Sequence, residues 1–281
     1  MRVIVVHQCN KGVGAARNAG VKIASGEWIS FIDSDDTIEP QMLEKLVSLA
    51  EDNQAKLAMC TVKHMSKDGV VEATINDRNY DLGAIEVFNS NQMIEKQRWA
   101  GEYDNALFVI VCNKIFKREL LGENPFVEGI IHEDEMFANT LYLRDYQMVI
   151  LHEPLYNYRS TPGSIMHQIF NSQKSIVFEI FLQRYDLFIK HGYLDAARAV
   201  AKIFVEVYID YYFLACESKH TEWVTKYSKQ LKKYLMMQES IIPGWLKQLK
   251  FSIRYFLFLL MPQLYYTLLR KRKALKTVCH N

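Results

Sequence analysis

Apolar positions fall into distinct textures along the chain. Residues 3–7, 28–32, 56–63 and 147–152 are short runs rich in β-branched and aromatic side chains. Each is bounded by turn residues or charges and predicts a buried strand. Residues 15–25 and 40–52 instead repeat apolar residues at three- and four-residue spacing, which predicts helices. Gly26 stops the first, and Pro40 suits the opening of the second. Strand–helix alternation of this kind predicts an α/β sheet with mostly parallel strands. Residues 64–90 are polar and irregular and predict an excursion away from the sheet. Helical spacing returns at 91–99 and 133–144, while 106–116 reads as partly extended. From Ser172 onward the pattern is all-helical, with helices expected at 173–191, 193–217, 221–237 and from Pro243.

Composition adds one correction to this picture. The 281 residues are 49% hydrophobic and 23% charged, which excludes a disordered or collagen-like chain. The net charge of +2 is that of no dedicated nucleic-acid binder, so no nucleic-acid partner is expected. The charge is segregated, however. Residues 226–281 hold 12 Lys+Arg and one acid, a local +11, which leaves −9 for residues 1–225. An acidic body with a basic tail predicts an anionic surface as partner. The five cysteines show no C-x-x-C spacing, so neither a zinc site nor a redox framework is expected. With no signal-peptide pattern at its start, the chain is expected on the reducing, cytoplasmic side.

Candidate chemistry sits where the 28–32 strand ends. Asp33, Asp35 and Asp36 emerge together, and ligand crevices of open α/β sheets lie at the carboxyl ends of strands. A D-x-D pair there suits a hard divalent cation, Mg²⁺ or Mn²⁺. A solvated acidic turn before the Pro40 helix has the same appearance. The same residues fit D-x-D-x-T, the first motif of haloacid-dehalogenase-type phosphatases, but the chain has no G-D dipeptide for that family's late acidic pair. Gly12-Val13-Gly14 imitates a dinucleotide fingerprint, yet Arg17 stands where its third glycine is required.

Several segments together carry a more specific likeness. They are Asn10-Lys11-Gly12-Val13-Gly14-Ala15-Ala16-Arg17-Asn18-Ala19-Gly20, then Gly26-Glu27-Trp28-Ile29, then Phe31-Ile32-Asp33-Ser34-Asp35-Asp36. After them come Cys112-Asn113-Lys114-Ile115-Phe116-Lys117-Arg118-Glu119-Leu120, Phe126 to Gly129 with Glu133-Asp134-Glu135-Met136-Phe137, and Tyr156-Asn157-Tyr158-Arg159 with Ser164-Ile165. In this order they resemble glycosyltransferase family 2. The resemblance implies a GT-A (Rossmann-like) fold and inverting transfer of a sugar from a nucleotide-sugar donor, a UDP-sugar by preference. The acceptor it implies is a glycan or lipid-linked saccharide of surface polysaccharide assembly. By the same resemblance Asp134 is the general base, Asp35 ligates the divalent cation, and Asp33 sits near the donor ribose and metal. Arg17 and Arg159 are the expected phosphate-holding guanidinia.

Members of that family begin with further strands ending in D-D-G-S-T-D, and this chain has neither D-G-S nor S-T-D. The expectation is therefore an N-terminally truncated GT-A domain at 1–167, entered about two βα units late, with an exposed sheet edge. A helical region at 168–240 and a basic amphipathic tail at 241–281 follow. Phe251 to Leu269 is strongly apolar and aromatic but interrupted by Arg254, Pro262 and Gln263; Arg270-Lys271-Arg272-Lys273 follows it. That pattern predicts an interfacial anchor on the inner face of the cell membrane rather than a span. A catalytically inactive remnant or membrane-associated partner is the alternative expectation.

Overall fold

The computed structural model describes residues 3–66, 70–75, 81–97, 104–159, 172–218 and 222–238, with positions 258, 260, 261 and 264. Seven strands form one mixed sheet: β1 Trp28–Ser30, β2 Thr37–Ile38, β3 Leu57–Met65, β4 Val71–Ile75, β5 Ile85–Phe88, β6 Lys114–Lys117 and β7 Met148–Arg159. The helices are α1 Val13–Ile23, α2 Met42–Asp52, α3 Ser90–Gln97, α4 Asp104–Val109, α5 Glu133–Leu141, α6 Ile176–Lys190, α7 Leu194–Ser218 and α8 Glu222–Gln238.

The α/β class holds, and the strand directions correct the expectation. Strand order is β1-β6-β3-β7-β2, with β4 beside β3 and β5 beside β7. Only β3–β7 is parallel among the described pairings. Helical crossovers do send β1 and β3 in one direction, as the alternation implied. β6 then inserts between them, antiparallel to both. Residues 64–90 were expected to leave the sheet, but Val71–Ile75 and Ile85–Phe88 within them are its strands β4 and β5. The 106–116 stretch begins in helix α4 and becomes extended only at β6.

Residues 3–7 were expected as a strand and are not one. Val3 to Val6 pair with none of the described strands, and their side chains are exposed. A β-branched run becomes a strand only where a ladder partner satisfies its backbone.

The core is built from the predicted periodicities. α2 buries Met42, Leu46 and Ala50, one stripe at four-residue spacing, against the sheet. β3 is buried on both faces from Leu57 to Val62, as a central strand must be. The described apolar core is continuous from Val21 in α1 to Tyr234 in α8 and Phe258. Residues 1–159 and the following helices thus share one interior across the expected boundary at 167/168. Of the tail, Phe258 packs edge-on against Tyr212 and Phe213, with ring centroids 5.1 and 5.8 Å apart, while Leu260, Met261 and Leu264 are exposed. The rest of the expected tail helix lies outside the described residues, as do Ser164 and Ile165. No described helix is long and apolar enough to cross a membrane.

Candidate active site

The motif blocks converge because α1 is stapled to the segment before α5. Gly14 gives α1 its close approach: a Cβ there would lie 2.5 Å from the Val127 carbonyl oxygen. Asn18, one turn on and fully buried, donates to the Phe126 carbonyl at 2.9 Å and accepts from the Phe126 N–H at 3.0 Å. The Gly129 N–H reaches the Lys11 carbonyl at 3.1 Å. Phe31, Phe116, Phe126 and Phe137, drawn from three of the blocks, form an aromatic cluster with centroids 4.9–5.9 Å apart.

Arg17 is the hub of this end of the sheet. Its Nη2 donates to Asp33 Oδ1 at 2.9 Å and its Nη1 to Glu133 Oε1. The guanidinium is mostly buried, and burial works against its charge; Asp33, Glu133 and Asp134 more than offset this and raise its pKa. The guanidinium expected to face phosphate oxygens is therefore engaged with two carboxylates, joining the acidic turn to α5.

The turn itself is held from β7. Tyr156, fully buried, donates its hydroxyl to Asp36 Oδ2 at 2.6 Å and accepts from the Asp33 N–H at 3.3 Å. The Arg159 N–H donates to Asp36 Oδ1 at 2.8 Å. Burial pushes the Asp36 carboxyl up, against the pull of those two hydrogen bonds. Asp36 is thus the structural acid of the turn. Asp35 is exposed, as is the Arg159 side chain at the strand end. Tyr156 is the site residue that reasoning from sequence missed as such. Its signal was the Y-x-Y-R block, where it was quoted without a role.

A cluster of potential ligand atoms does form here, from Asp33, Asp36 and Cys112, all within 4.8 Å of one another. Its chemistry divides. The two carboxylates suit a hard cation, whereas burial pushes the Cys112 thiol up to about 12, so the sulfur stays protonated and a poor ligand. Both Asp36 oxygens are engaged as well. Asp35, the residue expected to ligate the cation, is not part of this cluster.

Asp134 lies in the first turn of α5, just after His132, whose φ of 61° is left-handed. That conformation costs a non-glycine residue energy and sharply redirects the chain into the helix. Burial pushes the Asp134 carboxyl up to about 7, reinforced by Glu133 and Glu135 and opposed by the Glu135 N–H (2.8 Å) and by Arg17. Three acids at a helix start also complement its dipole, but the three are not equivalent. Glu133 is paired with Arg17 and Glu135 with Arg184, whereas no described cation pairs with Asp134.

Behind the site, Lys114 is almost completely buried. Its ammonium donates to the Leu107 and Ile110 carbonyls at the end of α4 and to Asn113 Oδ1 at 2.8 Å. Burial lowers its pKa to about 7. Asn113 in turn donates to the Cys60 carbonyl at 2.7 Å. This Asn-Lys pair fixes the turn that presents Cys112. A separate groove of about 750 Å³, lined by Lys22, Glu27 and Lys117, lies at the other end of α1, away from the converged acids, with Lys117 already paired to Glu27.

The fold is of the GT-A α/β class. In solved structures it resembles S. aureus TarS 1-349, crystallised with UDP-GlcNAc, with a TM-score of 0.53 over 82% of this chain and 62% of that one. At 18% identity this likeness speaks to the fold. The profile described as Glycosyl transferase family 2 matches residues 1–124. Among curated relatives it is 29% identical to Glycosyltransferase GlyG of Streptococcus pneumoniae, over 65% of this chain and 61% of the relative. It is 31% identical to the uncharacterized glycosyltransferase EpsJ of Bacillus subtilis, over 58% and 46%. The chain thus spans between about half and three-fifths of the length of these relatives.

Proposed function

We infer that this protein transfers a sugar, with inversion, from a nucleotide-sugar donor of the UDP-sugar type to a glycan or lipid-linked acceptor in polysaccharide biosynthesis. The observation that carries this reading is the Arg17 bridge, which ties the Asp33 turn to the helix start that bears Asp134. A half-buried carboxylate that pairs with no described cation, its pKa near 7, is suited to take a proton from an acceptor hydroxyl. Arg17 and Tyr156 hold the two acidic segments in register. Arg159 would meet donor phosphate oxygens, and its exposure at the end of β7 supports that role. Asp33 and Asp35 are the residues that would hold Mg²⁺ or Mn²⁺. When bound, such a cation offsets charge building on a leaving diphosphate. The −9 body and +11 tail, with Leu260, Met261 and Leu264 exposed, support peripheral attachment to the anionic inner face of the cell membrane.

Donor binding tests this. UDP-GlcNAc with Mn²⁺ should raise the melting temperature of the wild type and leave Asp35→Ala unmoved, and the wild type should release UDP when an acceptor extract is added. A metal-dependent shift without turnover would favour a binding partner that keeps the fold. No shift with any UDP-sugar would end the donor assignment.

A further inference from the structure

Helix α6 lies outside the matched region and outside every motif block, yet it reaches the Glu133-Asp134-Glu135 triplet. Arg184 of α6 is only 3% exposed. Its Nε donates to Asn139 Oδ1 at 2.6 Å and its Nη2 to Glu135 Oε2. Asn139, also buried, returns its amide to the Ile180 carbonyl at 3.2 Å and to Gln183 Oε1 at 2.9 Å. Glu135 and Asn139 are one turn apart on α5, and 180, 183 and 184 share one face of α6. The two helices are therefore joined by a polar network rather than by apolar contact alone. A buried guanidinium left without its partners is costly, so the network holds α5 in one place.

The same contact has an electrostatic side. Arg17 takes Glu133 from α1, and Arg184 takes Glu135 from α6. The two neighbours of Asp134 are thereby neutralised from opposite directions. Resting on the sugar-transfer reading above, we propose that Arg184 is a positioning residue for Asp134. It locks α5 against α6 and neutralises Glu135, which leaves the middle carboxylate of the triplet for proton transfer. The charges that act on Asp134 come from four elements: Glu133 and Glu135 on α5 itself, Arg17 on α1, Lys114 on β6, and Arg184 on α6 through Glu135.

The decisive measurement is the ¹³C NMR titration of the Asp134 carboxyl in the full chain, assigned by its loss in Asp134→Asn. Arg184→Met leaves Glu135 without its cation and should move the midpoint up by about one pH unit. Glu135→Gln leaves Arg184 without its anion and should move it down by about as much, with the double variant near the wild type. In a transfer assay, Arg184→Met should lower kcat more than it changes the donor KM, and Arg184→Lys should recover part of the loss. Midpoints that coincide in all four proteins, or that move the same way in both single variants, overturn the proposal, because a packing defect does not follow the sign of a charge. Should Arg184→Met not fold, Glu135→Gln still decides, since an unmoved midpoint there is enough to refute. A wild type that transfers no sugar while the midpoints move as stated refutes the transfer reading and upholds the electrostatic role of Arg184. Transfer with unmoved midpoints does the reverse.

Discussion

Replacing Asp134 by Asn should remove sugar transfer and, at neutral pH, make the protein more stable. Burial pushes this carboxyl from its usual 3.8 to about 7. The folded state therefore prefers the protonated acid, while the unfolded chain ionises it near pH 4. The native state keeps its full share of stability below pH 4 and loses it as the pH rises toward 7. About three pH units at roughly 1.36 kcal/mol each give a ceiling of about 4 kcal/mol. Asp134 is only partly buried by surface area, so solvent screening reduces the expected penalty to about 1–2 kcal/mol. Asn can still accept the Glu135 N–H and carries no charge. At about 2–4 °C per kcal/mol, Asp134→Asn should melt roughly 2–8 °C above the wild type at pH 8. The gap should close progressively toward pH 4. Differential scanning fluorimetry across that range measures it. A gap that does not change with pH, or an Asn variant that is less stable at pH 8, would refute the reasoning that Asp134 is held against its charge.

The same pKa sets the rate profile: transfer by the wild type should rise about tenfold per pH unit up to about pH 7 and level above it, as a stopped UDP-release assay will report. Gly14→Ala drives a Cβ to within 2.5 Å of the Val127 carbonyl oxygen, so α1 must back away; a cost of about 1–3 kcal/mol is expected in urea unfolding. Changing Arg270, Lys271, Arg272 and Lys273 together to Gln should abolish flotation with anionic liposomes and leave the melting temperature unchanged. Undiminished flotation would remove the basic run as the anchor.

What the sequence disclosed, and what it withheld, follows from the range of each interaction. Periodicity found α1, α2, β1 and β3 to within two residues, because those elements bury one face or both through residues close in sequence. Strand direction was not legible in the same way. It depends on β6 entering between β1 and β3 from more than fifty residues downstream. β4 and β5 were missed because they are short strands off the main path of the sheet, and β5 exposes Ile85 and Val87. At the site, the acid blocks were visible as motifs, and the structure gathers them. The use made of Arg17 was hidden, since its partner Glu133 lies 116 positions away. Arg184 was hidden more completely, because among Glu179, Asp186 and Lys190 of the same helix a single arginine carries no pattern of its own.

The place of β7 in the sheet has a consequence for how the protein is made. This strand pairs with β3 along one side and with β5 and then β2 along the other, so it completes the middle of the sheet. It is also the last of the described strands to leave the ribosome. Until it arrives, β3 has one unpaired side, and Asp36 lacks both of its hydrogen bonds, which come from Tyr156 and Arg159. Pairing across about ninety residues carries a loop-closure cost that local contacts do not. The nascent chain therefore holds an open sheet and a loose acidic turn while the roughly ninety residues from β3 to β7 are made, a state that exposes apolar edges. The candidate active site is an end product of folding, formed in the step that closes the sheet.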